Sequence, residues 1–498
     1  MTSLQEKNII NKQVFDKADW SSAYQNVEVE LENKSLNISK GNIIPELNGT
    51  LFRNGPGILK RDGQWLHHPF DGDGMITAIK FKNGKASFTN KFVKTEGFLK
   101  EEKVDKFIYR GVFGTQKKGG VINNAFNLNL KNIANTHVIK LGDELLALWE
   151  AAGPHSLNPN NLETNGLTTL KGVLKKNEAF SAHPKVDFNS NSADEVLITF
   201  GVQTGPTSTI RLMEFSNSGK NSGQILFDRK DKLKGFAFLH DFAITTNWAI
   251  FLQNAIDFNP LPFVLGQKGA AQCLKSNPKK TAKFFIVPRD SGLFRGQPPI
   301  VIDAPKGFVF HHVNAYENDS NIILDSIFYD DFPSVGPDED FRDIDFDNYP
   351  AGKLKRSLID LKGKSSKLVS ISDQTCEFAV VNPNFLGIKS NYSWMACTEK
   401  KTGNAPLQAI KKVNLETKEE LFWSAAPKGF VSEPIMVPKE GSKSEDEGYL
   451  LILIWNGSRR GSDLIILNSS NLEELATYEL PINIPHGLHG SWANEKLI

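Results

Sequence analysis

The sequence predicts an all-β chain, a propeller of about seven blades with a few short helices and loops forming a cap over a polar site on its axis. Three observations lead there. The 498 residues are filled with short β-branched and aromatic runs, at 196–202, 209–215, 248–253, 321–329, 449–455 and 463–467, punctuated by Gly, Asn, Asp and Pro. Many short strands with turn chemistry between them belong to a sandwich, a barrel or a propeller. Helical periodicity is scarce, residues 119–130 being the best candidate for a short helix. Finally, a polar residue set in an apolar run, then a turn, then a strand, recurs along the chain, and a repeat of this size separates the propeller from the other two.

Composition limits what such a fold can do. Hydrophobic residues make up 40% and charged residues 23%, so the chain can bury a large core without disulfides. The 58 basic and 57 acidic side chains nearly cancel, which removes the basic face that a nucleic-acid partner would need. Cys273, Cys376 and Cys397 form no CxxC pairing and read as thiols of a reducing compartment. The first residues carry charges and no apolar core of a secretory signal, and no stretch approaches the roughly 20 apolar residues of a membrane span. A cytoplasmic protein is expected. No linker-like shift divides the chain, so residues 1–498 are read as one domain, with residues 1–20 a flexible segment. The 34 Phe residues serve either core packing or an apolar tunnel.

Taken in order, the repeat places His183 in SAHPKVD, His240 in FLHDFAI, His311 in GFVFHHVNAYE, Glu377 in CEFAV, Glu433 in SEPIMVP and His489 in GLHGSW. A propeller brings the inner end of every blade to one axis, so residues in the same phase converge. One such histidine would be a core residue hydrogen-bonded within its blade; the phased set is better explained as a metal centre. Neutral imidazoles bind Zn, Cu, Fe or Ni, and a metal-bound histidine usually gives its other N–H to a carboxylate. Glu150, Glu377 and Glu433 suit that supporting role, because an unpaired buried carboxylate costs several kcal/mol.

The stretches GTLFRNGPG (49–57), HPFDGDGM (68–75), KNIANT (131–136), SAHP, HDFAIT, FHHVNAYE, EPIMVP and LHGSW occur in that order, and together they resemble the carotenoid cleavage oxygenase family over residues 20–492. The resemblance implies a seven-bladed propeller holding one Fe(II) per chain on His183, His240, His311 and His489, with Glu150, Glu377 and Glu433 behind three of them. His311 is preferred to His312 because relatives keep the ligand three residues before the Asn, here Asn314. Thr136 matches a position beside an open coordination site. Tyr24, Phe70, Phe113, Trp149, Phe238, Phe310 and Phe378 match or neighbour tunnel-lining positions. The implied activity is dioxygen-dependent cleavage of one C=C bond of an apocarotenoid, the 15,15′ bond, giving retinal or a derivative and a second carbonyl product. The family also contains stilbene-cleaving oxygenases and retinoid isomerases, and a non-catalytic polyene-binding propeller is a further alternative.

Other features carry less. Residues 71–74, DGDG, lack the bidentate Glu that closes a calcium loop and read as a tight turn. His68, His137, His155 and His486 receive no role, His486 being a secondary candidate ligand. Residues 260–265, PLPFVL, form an apolar loop-like stretch and a candidate peripheral membrane contact through which a polyene would be collected. The chain is expected to work as a monomer.

Overall fold

Residues 14–176, 178–189, 195–290, 292–334, 336 and 338–494 are described by a computed structural model of the chain. Its strands form seven large antiparallel sheets and two minor two-stranded pairs, the seven-bladed propeller expected. Four blades in mid-chain are simple meanders. One runs Lys185–Asp187, Val196–Gln203, Thr207–Ser216, Ile225–Lys234; another runs Phe308–Asn318, Asn321–Tyr329, Lys353–Asp360, Ser365–Ser372. The tight connection between Phe308–Asn318 and Asn321–Tyr329 turns through Asp319 at φ 54°, a left-handed conformation that Asp tolerates better than most residues.

The ring is closed at both ends of the chain. The late strand Gly490–Asn494 pairs with Gly49–Ile58 in the first blade, and the early strand Ile38–Gly41 pairs with Glu474–Glu479 on the last. Gly490 makes the first of these pairings possible, since a Cβ there would meet the Phe52 carbonyl oxygen at 2.3 Å.

The core is divided into slabs between blades. Ile139, Leu146 and Leu148 of the second blade pack on Leu197, Met213 and Phe215 of the third. Ile250, Phe284 and Ile286 of the fourth pack on Ala315, Ile322 and Leu324 of the fifth. Each of these Ile, Leu, Met and Phe side chains is worth about 1.5–3 kcal/mol when fully buried relative to exposure. Strands covered on both faces therefore read as continuous apolar runs such as 449–455, all buried.

Short helices occur in the connections, including Glu96–Val104, capped by the Thr95 side chain, and Gly120–Asn124 inside the region expected to be helical. The expectation of flexibility over residues 1–20 is corrected at its end. Residues 1–13 lie outside the described residues, but Lys17–Ser21 is a helix whose first amides donate to Asp16, and Trp20 is buried against Phe346, Phe430 and Trp455. The buried indole of Trp20, after the sequence Asp16-Lys17-Ala18-Asp19, is what pins it.

Candidate metal centre and its cavity

His183, His240 and His489 stand in the turns that lead into the first strands of their blades, and His311 lies within Phe308–Asn318. One ring nitrogen from each lies within 4.8 Å of the corresponding nitrogen of every other. Nε2 of His183 and Nε2 of His240 are 2.9 Å apart, and Nε2 of His311 is buried with no hydrogen-bond partner among the described residues.

The outer nitrogens are occupied. Nδ1 of His240 is 3.0 Å from Glu150, Nδ1 of His311 is 2.6 Å from Glu377, and Nδ1 of His489 is 2.8 Å from Glu433. Each carboxylate draws the ring proton to Nδ1 and leaves a lone pair on Nε2. His183 has no such carboxylate among the described residues. The glutamates stay ionised although buried: burial pushes Glu433 upward, but His489 and Arg53 beside it bring it down to about 2. Burial and the three neighbouring imidazoles hold His183 far below the ordinary histidine range, and burial takes His489 to about 4. His311 moves the other way: burial lowers it, but the carboxylates of Glu377, Asp241 and Glu433 together raise it.

This donor set fits a transition-metal ion. Metal–imidazole bonds of about 2.1 Å set at right angles separate two nitrogens by about 3 Å, close to the His183–His240 distance. A buried lone pair without a donor, as on His311, is what such an ion would satisfy. His312 does not join the cluster; its Nδ1 lies 2.7 Å from Ser326 Oγ, and the strand is irregular on both sides of it. Nor does His486, which stacks on Trp20 and whose Nε2 lies 3.2 Å from the Trp20 carbonyl.

A cavity of about 200 Å³ opens onto the cluster. Thr136, Phe70, Phe113, Trp149, Phe238, Phe310 and Phe378 all line it, with Glu150, Glu377, His240, His311 and His489 at its floor. Tyr24 does not line it. Its ring is taken up edge-on by Trp20, Phe341 and His486 in the packing of the N-terminal helix, and Tyr349 and Tyr329 supply the cavity's tyrosines instead. The 71–74 turn is structural: Asp71 accepts from the Phe113 and Thr115 amides, and Asp73 accepts from Lys131.

Sequence reasoning missed three supporting residues. Arg53 donates to the Glu433 carboxylate at 2.9 Å and to the Leu488 carbonyl at 2.8 Å. The Tyr329 hydroxyl donates to Glu377 at 2.8 Å. His137 sits with its ring nitrogens 2.9 and 3.0 Å from the carbonyls of Ala182 and Gly490, each next to a cluster histidine. Arg53 left one signal, a charge inside the wholly buried strand Gly49–Ile58.

The family described as retinal pigment epithelial membrane protein matches residues 24–494. Apocarotenoid-15,15′-oxygenase of Synechocystis is 44% identical over 480 residues, covering 95% of this chain and 96% of the relative. Lignostilbene-alpha,beta-dioxygenase isozyme III of Sphingomonas paucimobilis is 26% identical over 480 residues, covering 91% and 93%. The crystal structure of the cobalt-substituted Synechocystis ACO superposes with a TM-score of 0.93 at 43% identity, covering 97% of this chain and 100% of that one.

Proposed function

The chain belongs to the retinal pigment epithelial membrane protein family, and from that membership we propose that it is a non-haem Fe(II) dioxygenase cleaving a C=C bond of an apocarotenoid. The 15,15′ bond is the one assigned, with retinal or a derivative and a second carbonyl compound as products. One observation carries the reading: an aromatic cavity opens onto four converging imidazoles, in a chain 44% identical to a relative named for this cleavage.

His183, His240, His311 and His489 would hold the iron. Bound there, iron supplies the redox chemistry that lets dioxygen react with an alkene. The protein's own contribution is positional. Glu150, Glu377 and Glu433 keep the Nδ1 protons of three histidines in place and so fix which nitrogen faces inward. Phe113, Phe310, Phe378 and Trp149 form rigid walls that exclude water and set how far a stiff polyene can slide, which selects the bond by position. Thr136 lines the cavity that opens onto the cluster, and its hydroxyl donates to Asn135.

Among the described residues no helix is long and apolar enough to cross a membrane. A peripheral contact suits a lipid-dissolved substrate. Leu261–Val264 is a short helix with no buried residue, the Val264 carbonyl accepts from the Phe126 amide, and Leu261, Phe126 and Ile122 are exposed. Phe263 and Leu265 lie in this segment; unchanged liposome binding after replacing both with Ser would remove the idea.

The test of the main reading is an aerobic assay of Fe(II)-loaded protein with an apocarotenal in detergent, with products identified by mass. Two shorter carbonyl products, dependent on Fe(II) and O₂, are expected. An unchanged polyene with iron confirmed in place would overturn the reading and favour a stilbene substrate. A spectral shift without fragmentation would favour isomerisation.

A further inference from the structure

Several of the cavity's polar groups are engaged, while the Ser334 and Tyr349 hydroxyls, which also line it, can rotate to donate or accept. The Thr136 hydroxyl donates to Asn135, and the Asn135 amide donates to the carbonyls of Phe70 and Gly72. The Tyr329 hydroxyl is held by Glu377, Glu150 and Glu377 are held by histidines, and the Gln272 amide lies against His67. His68 is different. Its Nδ1 accepts from the Phe70 amide at 3.1 Å, which leaves that nitrogen without a proton. The ring proton is therefore on Nε2, and this N–H has no protein acceptor among the described residues, although the side chain lines the cavity and Nε2 is not sealed from it. The ring is clamped between Phe70 and Phe113, with centroids at 4.4 and 5.1 Å, so the donor cannot swing away to water easily. Burial holds the ring neutral, down to about 3.

We propose that His68 is the polar anchor of the substrate cavity, its Nε2–H donating to an oxygen acceptor carried by the bound polyene. The inference rests on the reading of the cavity as a polyene site. It deepens that reading by naming the residue that holds the substrate's oxygen. A neutral imidazole with Nδ1 already accepting can only donate here, so the partner is a carbonyl or a hydroxyl oxygen, not an ammonium or an amide N–H. A buried donor left unmet penalises the hydrocarbon, which is how a polar group in an apolar site produces selectivity.

The test uses His68→Asn. Asn can still accept from the Phe70 amide, as short polar side chains do at helix starts, but it lacks the distal N–H. Binding is measured on metal-free protein by quenching of tryptophan fluorescence, with three probes: a ring-hydroxylated apocarotenal, the same apocarotenal without the hydroxyl, and the matching hydrocarbon polyene. Wild type is expected to prefer the oxygenated probes. His68→Asn should weaken their binding about tenfold, the loss of one hydrogen bond, and should not weaken the hydrocarbon. If the loss disappears on removing the hydroxyl, the anchor holds the ring oxygen; if it persists there, the anchor holds the carbonyl. Equal loss for all three probes, no loss at all, or no wild-type preference for oxygen would overturn the proposal. Because the protein is metal-free, selective loss in binding alongside absent cleavage by the iron-loaded wild type would sink the oxygenase reading and spare this one.

Discussion

Arg53 and Glu433 meet at 2.9 Å although 380 residues separate them in the chain. The same guanidinium bonds the Glu433 carbonyl and the carbonyl of Leu488, the residue before His489. One side chain thus ties a strand of the first blade to a carboxylate of the last and to the segment carrying a cluster histidine. Removing one partner of a buried ion pair strands the other charge and costs about 3–5 kcal/mol. Arg53→Met should therefore lower the thermal midpoint and loosen metal binding together. Arg53→Lys should recover only part, since an ammonium lacks the fork that spans three acceptors. Calorimetry with metal titration checks both; a Met variant with wild-type stability would remove the role.

Metal binding should depend unequally on the histidines and their carboxylates. His240→Ala is expected to abolish both metal and activity. Glu377→Gln should weaken metal binding by about 10–100-fold, the usual effect of losing a carboxylate behind a ligand, because an amide no longer draws the His311 proton to Nδ1. Chelation should leave the propeller folded, its core lying between blades and not at the axis. Metal content and circular dichroism measured on the same samples would decide; full metal occupancy in His240→Ala would refute its place as a ligand.

Phe113 lines the cavity, and its amide donates to Asp71. Phe113→Ala should lower kcat/KM by about tenfold and broaden the product mixture, because the polyene is no longer held in one register. Metal content should stay the same, as the ring packs on His68 and Phe70. Product analysis by mass together with a metal assay tests this, and an unchanged product ratio would show that Phe113 sets no register.

Acid should weaken the fold through histidines that contact no metal ligand. His486, buried among Trp20, Tyr24 and Phe430, is held down to about 4 by burial. An unfolded histidine titrates near 6.5. Between those values the unfolded chain takes up a proton that the folded chain refuses. The neutral ring's contribution is thus fully present above about pH 6.5 and lost as the pH falls to about 4, a loss of about 3 kcal/mol. His486→Phe, with a ring that suits this aromatic nest, should flatten the fall of the thermal midpoint across that window. An unaltered slope would rule His486 out as a source of acid sensitivity.

The propeller and the phase of the cluster were legible because a histidine or glutamate inside an apolar run stands out against its surroundings, and six such places repeat. His311 and His312 could not be told apart by composition; the resemblance chose His311, and the structure puts that ring with the other three while His312 turns to Ser326. Tyr24 was misplaced because an aromatic ring that packs the N-terminal helix looks like one that lines a cavity. Arg53 and His137 escaped notice because their contacts are long-range: His137 reaches the Gly490 carbonyl across 353 residues. Side chains that serve a site by gripping its backbone carry no motif.

The pairing of Gly490–Asn494 with Gly49–Ile58 has a consequence for how the protein is made. The fourth imidazole, His489, is made after the other three, and the strand that shuts the ring follows it directly. Until then the first blade lacks its inner strand, and Arg53 lacks the Leu488 carbonyl. A nascent chain can assemble its middle blades as they appear, but it cannot present four imidazoles to a metal ion. A four-imidazole site is thereby completed only by the step that closes the ring.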